Sequence, residues 1–282
     1  MIPQGHKFAS LSLYGTGAQF NMPEPMSLPN GLIATRQLPF EVTPWWREQL
    51  GLLNCQEIEH SDLFLTSVAP SNALKVLDAE NLALEDACRN FFYGLLIAMP
   101  FSPELSPQLV TGSMDAGAAT FRQISRFERP AYIAGTPPPD VDGGDLQRAA
   151  LYANEIHSVT SKQGTYGRAV WALNCFMNGL TSTHLYEKMR HLIRTIEAFI
   201  LPEIGKTERQ FKSRTELFVG TREHDLIAKM YKVRSNIEHL HDPLDLMNGS
   251  STKDRLIALC EITLLTETLA RYCLQRFLLS LA

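Results

Sequence analysis

The sequence predicts a chain that is mostly α overall, with an α+β N-terminal domain over residues 1–145 and an all-α helical bundle over residues 146–282. Three observations carry this. The first 70 or so residues are rich in Pro, Gly and Asn, with short β-prone runs between turn residues. The stretch 136–145, TPPPDVDGGD, joins a stiff proline run to a flexible acidic one, as a linker between domains does. From Leu146 onward the apolar residues recur at helical spacing only.

In the N-terminal half, Ser10–Tyr14, Leu32–Thr35 and Leu63–Val68 read as strands. Trp45-Trp46, after Pro44, reads as a packing anchor rather than a base-stacking platform. Ala73–Met99 reads as one long helix or two in series, stopped by Pro100, which has no N–H to donate. Gln108–Gly112 and Ala119–Ile133 follow as strands. Asp140, Asp142 and Asp145 have the spacing of no recognised cation loop, and Asp145 reads as the cap of the next helix.

Six helices are expected in the C-terminal half: Leu146–Val159, Tyr166–Asn178, Thr183–Ile200, Thr207–Val219, 222–240 and Lys253–Leu281. Gly179 and Gly220 are placed where glycine ends a helix. Short connections favour antiparallel neighbours in a bundle. The last helix is apolar nearly all round, which suits a helix central to the bundle or shared with another subunit.

Composition narrows the classes. A net charge of −4 gives no global basic field, so any nucleic-acid contact must come from a local patch. Cys55, Cys88, Cys175, Cys260 and Cys273 are scattered without a C-x-x-C pair, as reduced core residues of a cytoplasmic protein are. No signal-peptide pattern opens the chain, and charges interrupt every long apolar run, so no membrane partner is expected. Asn248–Ser250 forms a glycosylation sequon and reads as a plain loop. H-E-x-x-H, G-x-S-x-G and a P-loop are all missing, and no metal or cofactor is expected. His239-x-His241 resembles half a metal site, but i and i+2 on a helix point to opposite sides.

Two helices hold the residues that suit chemistry. In Thr183–Ile200 the apolar stripe is Met189, Ile193, Ile196 and Ile200, and Glu197 points into it. A buried carboxylate calls for a cation, and Arg234 from a facing helix is the best candidate. The alternative is a Glu197 at the stripe's edge that reaches water. The helix ending near Pro243 carries Arg234, Ser235 and His239 on its polar side. An imidazole can take a proton from a ribose 2′-hydroxyl near neutral pH, and a guanidinium can hold the charge that builds on phosphate oxygens. The plain alternative is a histidine stabilised by the helix macrodipole beside a structural arginine. Lys188, Arg190, Arg194, Lys206, Arg209, Lys212 and Arg214 form a local basic stretch that suits RNA, or else a solvated helix face.

Arg234-Ser-Asn-Ile-Glu-His239 resembles the R-x4–6-H signature of HEPN domains. The flanking text LIRTIEAFILPEIGKT, RQFKSRTELFVG and LIAKMYKVRSNIEH resembles the Apea-like branch of that superfamily over about Tyr166–Asp242. The resemblance implies a helical bundle that dimerises with its Arg-His helices at the dimer groove. It implies metal-independent cleavage of RNA leaving a 2′,3′-cyclic phosphate, often in toxin–antitoxin or antiphage defence. Arg234 would bind phosphate, His239 would be the acid/base, Glu197 would orient Arg234, and Ser235 would hold the polar position after the arginine. From the basic stretch, rather than from the resemblance, Arg194, Lys206, Arg209 and Lys212 are expected to contact RNA. Partners would be RNA, a second copy of the chain and a regulatory or antitoxin protein. Many relatives have Gly after the histidine, where this chain has Leu240, so the helix end is expected to differ. Some HEPN proteins are inactive scaffolds or ligand-binding modules, which is the second reading. A weaker third is a regulatory subunit that holds a nucleotidyltransferase or another toxin in check.

Overall fold

The computed structural model describes residues 2–71, 79–114, 119–131, 133, 139–200, 207–220 and 224–282. The chain is mixed α/β, with a sheet-bearing N-terminal unit and a helical C-terminal unit. The first unit comprises Met1–Arg129 and Pro137–His157, and the second Pro130–Thr136 and Ser158–Ala282. The sequence placed the boundary at 145/146; the contacts of Leu146–His157 group with the sheet unit.

The first unit is built on a six-stranded antiparallel sheet. Its strands are β1 (His6–Leu13), β3 (Met26–Ser27), β4 (Ile33–Thr35), β5 (Leu63–Pro70), β6 (Gln108–Ser113) and β7 (Thr120–Arg126), in the order β3-β4-β5-β1-β6-β7. A separate parallel pair joins β2 (Gln19–Asn21) to β8 (Asp140–Asp142). Strand β1 is central and almost wholly buried, because both sheet faces are covered. Helix α3 (Ala79–Ala98) lies against one face, with Cys88 Sγ 3.4 Å from Ala9 O and Lys7 Nζ 2.9 Å from Glu80 Oε2. On the other face, Phe8, Phe40 and Trp46 stack with centroids 5.2 and 4.9 Å apart, and Trp46 Nε1 donates to Ala119 O at 2.7 Å.

Trp46 sits on α1 (Pro44–Leu50), followed by α2 (Leu52–Glu59); the sequence reading missed both short helices. The packing role read for Trp46 holds, whereas Trp45 is half exposed against Phe121. Strand β7 stops at Arg126, short of the expected Ile133. The ladder ends there because Arg126 pairs with Gln108, the first residue of its partner β6. Part of the expected helix 73–99 lies outside the described residues. Helix α4 (Gly143–Ser161) starts with a reciprocal cap, since Asp145 N donates to Asp142 Oδ1 and Asp142 N to Asp145 Oδ2. The cap is therefore Asp142, with Asp145 as its third-position partner.

The second unit contains α5 (Gln163–Thr181), α6 (Leu185–Ile200), α7 (Thr207–Val219), α8 (His224–Glu238), a 3-10 turn (Pro243–Leu246) and α9 (Thr252–Leu279). Helix α6 touches α5, α7, α8 and α9, so it is the central helix, and the expected stripe of Met189, Ile193, Ile196 and Ile200 is buried. Helix α9 packs on α6, the 3-10 turn, α5 and α8 and keeps several large apolar residues exposed, so of the two expectations for it, central or shared with another subunit, the first is not met. Gly179 does not end α5, which continues to Thr181. A Cβ there would come within 3.1 Å of Leu192, so glycine serves the close approach of α5 and α6. Gly220 does end α7, with a φ of 86°.

Candidate functional site on the α6 and α8 faces

Glu197 lies where its spacing puts it, on the buried stripe of α6, and is 8% exposed. Arg234 of α8 reaches it, with Nη2 3.4 Å from Oε1 and 3.5 Å from Oε2. These distances are long for a charge-assisted pair, so the guanidinium is neighboured rather than clamped. Arg234 also lies over the Tyr231 ring at 5.9 Å. Its Nε has no hydrogen-bond partner among the described residues, so part of its donor set is uncommitted. Burial pushes the Glu197 carboxyl above the ordinary carboxylate range, and the Arg234 and Arg194 charges only partly offset this.

A second pair runs alongside. Arg194 Nη2 lies 3.0 Å from Glu238 Oε1. Arg194 and Glu197 are three apart on α6, and Arg234 and Glu238 are four apart on α8, so each helix offers one cation and one anion along one face. The two helices meet through reciprocal ion pairs. Glu238 was not singled out in the sequence, although it is four residues after Arg234.

His239 follows the last residue of α8, where its N–H donates to Ser235 O at 3.0 Å. Its ring is exposed, as Ser235 is partly. Leu240 has φ 59°, the left-handed conformation that glycine adopts freely. His241 N donates to Asn236 O at 2.8 Å and Leu240 N to Ile237 O at 3.3 Å. These two bonds form a Schellman motif with Leu240 at C′. Despite the missing glycine, the backbone takes a glycine-like turn. Because the helix has ended there, His239 and His241 do not point to opposite sides. Their ring centroids are 6.5 Å apart, which corrects the helical expectation. Asp242 then accepts from Tyr186 Oη at 3.0 Å and caps the 3-10 turn through Leu244 N.

The expected basic groove is largely engaged within the fold. Lys188 is buried and donates to Leu180 O at 3.0 Å. Arg190 pairs with Glu187 at 2.5 Å, Lys212 with Glu208 at 3.2 Å, and Arg214 donates to Ile200 O at 2.8 Å. Of the four residues read as RNA contacts, Arg194 and Lys212 are paired and Lys206 lies outside the described residues. Arg209 is exposed and has no partner among the described residues.

No group of three His, Cys, Asp or Glu gathers as a metal site among the described residues, and no described helix is long and apolar enough to cross a membrane. All five cysteines are free thiols. No family model, no curated protein and no solved structure matches the chain.

Proposed function

We propose that the helical unit is a HEPN-like, metal-independent endoribonuclease that acts at the C-terminal end of α8. The observation that supports this most is the arrangement of that end. Glu197 steadies Arg234 without saturating it, and the backbone turn at Leu240 leaves the His239 imidazole open to solvent. In this reading His239 takes the proton from a ribose 2′-hydroxyl. The 2′-oxygen attacks phosphorus, the bond from phosphorus to the 5′-oxygen breaks, and that oxygen leaves with a proton. The products are a 2′,3′-cyclic phosphate and a 5′-hydroxyl end. Arg234 stabilises the non-bridging oxygens as charge builds. Two copies of the chain would pair their sites, RNA is the substrate, and defence in the cytoplasm under a regulatory or antitoxin partner is the setting. The N-terminal unit would sense the trigger or restrain the nuclease.

The reciprocal Arg194–Glu238 and Arg234–Glu197 pairs favour a second reading, a non-catalytic HEPN-like scaffold in which both arginines are structural. Incubating a mixed RNA pool in EDTA with wild type, His239→Ala and Arg234→Ala separates the two. The nuclease reading expects cleavage by wild type and loss of at least about 100-fold in His239→Ala, the scale of general acid–base catalysis. The scaffold reading expects no cleavage by any of the three.

A further inference from the structure

The cleavage step leaves one proton without a source. In an in-line displacement the attacking 2′-oxygen and the leaving 5′-oxygen lie on opposite sides of phosphorus. A single imidazole placed to take the 2′ proton is therefore badly placed to give one to the 5′-oxygen in the same step. Arg234 keeps its protons and supplies none.

His241 has the chemistry and the position to supply it. Its ring centroid lies 6.5 Å from that of His239, with the ring planes inclined by 45°, and both residues are exposed. Two hydrogen bonds of about 2.6–3.2 Å, one from each ring, span a gap of this order, so one phosphodiester can touch both. The backbone on either side of His241 is tied down. Its N–H donates to Asn236 O at 2.8 Å, and Asn236 Nδ2 donates to Asp242 O at 3.4 Å. Asp242 Oδ1 accepts from Tyr186 Oη at 3.0 Å and from Leu244 N at 2.9 Å. The turn is thereby fixed to α8, α6 and the 3-10 turn, as a group that must meet a reacting atom requires. Leu240, between the two histidines, is the one residue other than glycine with a positive φ among the described residues, and it is 94% exposed. Its strained conformation buries almost nothing of its own side chain. What the strain accomplishes is the turn that brings the flanking histidines to one side.

We propose that His241 is the general acid of the cleavage step, paired with His239 of the same chain as the general base; the proposal rests on the ribonuclease reading. His239 takes the proton of the 2′-hydroxyl as the 2′-oxygen bonds to phosphorus. The bond from phosphorus to the 5′-oxygen breaks, its electron pair stays on that oxygen, and the oxygen takes the proton of the His241 imidazolium. The step ends with His239 protonated and His241 neutral, so the charge on the pair is unchanged and proton exchange with water resets it. Imidazole is the side chain suited to both roles near neutral pH.

The test uses the full chain as wild type, His239→Ala and His241→Ala. The linkage that wild type cuts in an RNA pool is mapped, and a short RNA with that linkage is made twice, once with its natural 5′-bridging oxygen and once with sulfur there. A thiol is far more acidic than an alcohol, so the sulfur leaves without needing a proton. On the oxygen substrate each substitution is expected to slow cleavage at least about 100-fold. On the sulfur substrate His241→Ala is expected to recover to within about 10-fold of wild type, while His239→Ala stays slow. If His241→Ala cuts the oxygen substrate at the wild-type rate and His239→Ala does not, the general acid is another group and the ribonuclease reading still stands. A slow His241→Ala that sulfur does not rescue would also overturn the proposal, since a residue that only shapes the turn gives that result. A wild type that cuts no RNA removes the ribonuclease reading and this proposal with it.

Discussion

Leu240→Gly tests the turn that presents His239. In the folded chain Leu240 has φ 59°, where a β-carbon crowds the following carbonyl at a cost of about 1–2 kcal/mol. Glycine removes that cost. It also gives the unfolded chain more freedom, which costs about 0.4–1 kcal/mol. Leu240 is 94% exposed, so almost no buried apolar area is lost. The net expectation is a stabilisation of about 0.5–1 kcal/mol in the transition of the helical unit. Urea unfolding followed by circular dichroism reads it as a higher midpoint with an unchanged slope. Leu240→Ala is the control, because alanine meets the same left-handed penalty and is expected to change the midpoint little. If Leu240→Gly destabilises the protein, or matches Leu240→Ala, the chain does not turn at Leu240 as described, and the argument for an open His239 fails with it.

Other expectations follow from contacts elsewhere. Gly94→Ala replaces a mid-helix glycine with the best helix former, worth about 1 kcal/mol in an open helix. Here the new Cβ would lie 2.3 Å from Ala149 O, so a net loss of about 1–3 kcal/mol is expected from thermal melts of the variant. Glu197 has a folded-state pKa raised by burial, so the folded chain binds its proton more tightly than the unfolded chain does. Its contribution is therefore greatest in acid and declines as pH rises above the ordinary value near 4.5. Measured against Glu197→Gln from pH 4 to pH 7, wild type should lose stability on that rise, and a gain would show the Arg234 attraction to dominate. Trp46→Phe removes the donor to Ala119 O and leaves a small void between α1 and the sheet, and a loss of about 1–3 kcal/mol is expected, read as a lower urea midpoint.

Much of the fold was legible because its signals are local. Strands β1, β5 and β6 announce themselves by β-prone runs between turn residues, and α7 by the glycine after it. Helices α1 and α2 are seven and eight residues long, too short to show a period, and Trp46 finds its acceptor 73 residues away. Gly179 looks like a helix end from sequence because nothing local reveals Leu192 pressing on it. In the site, the Glu197–Arg234 neighbourhood was legible from a carboxylate on an apolar stripe. The loss of the basic groove was partly legible, since Glu187–Arg190 and Glu208–Lys212 are spaced for helical pairing. The Arg194–Glu238 pair spans 44 residues and depends on how α6 meets α8. The closeness of the two histidine rings needed the turn at Leu240, which a leucine does not advertise.

The most direct measurement is cleavage by purified wild type, in EDTA, of an RNA and of the same sequence carrying 2′-O-methyl groups throughout, with the ends of any product identified. A nuclease of the proposed kind is expected to cut the RNA to 2′,3′-cyclic phosphate ends and leave the methylated strand intact, and His239→Ala is expected to cut neither. Cleavage of the methylated strand, or wild-type rates from His239→Ala, would contradict the proposal.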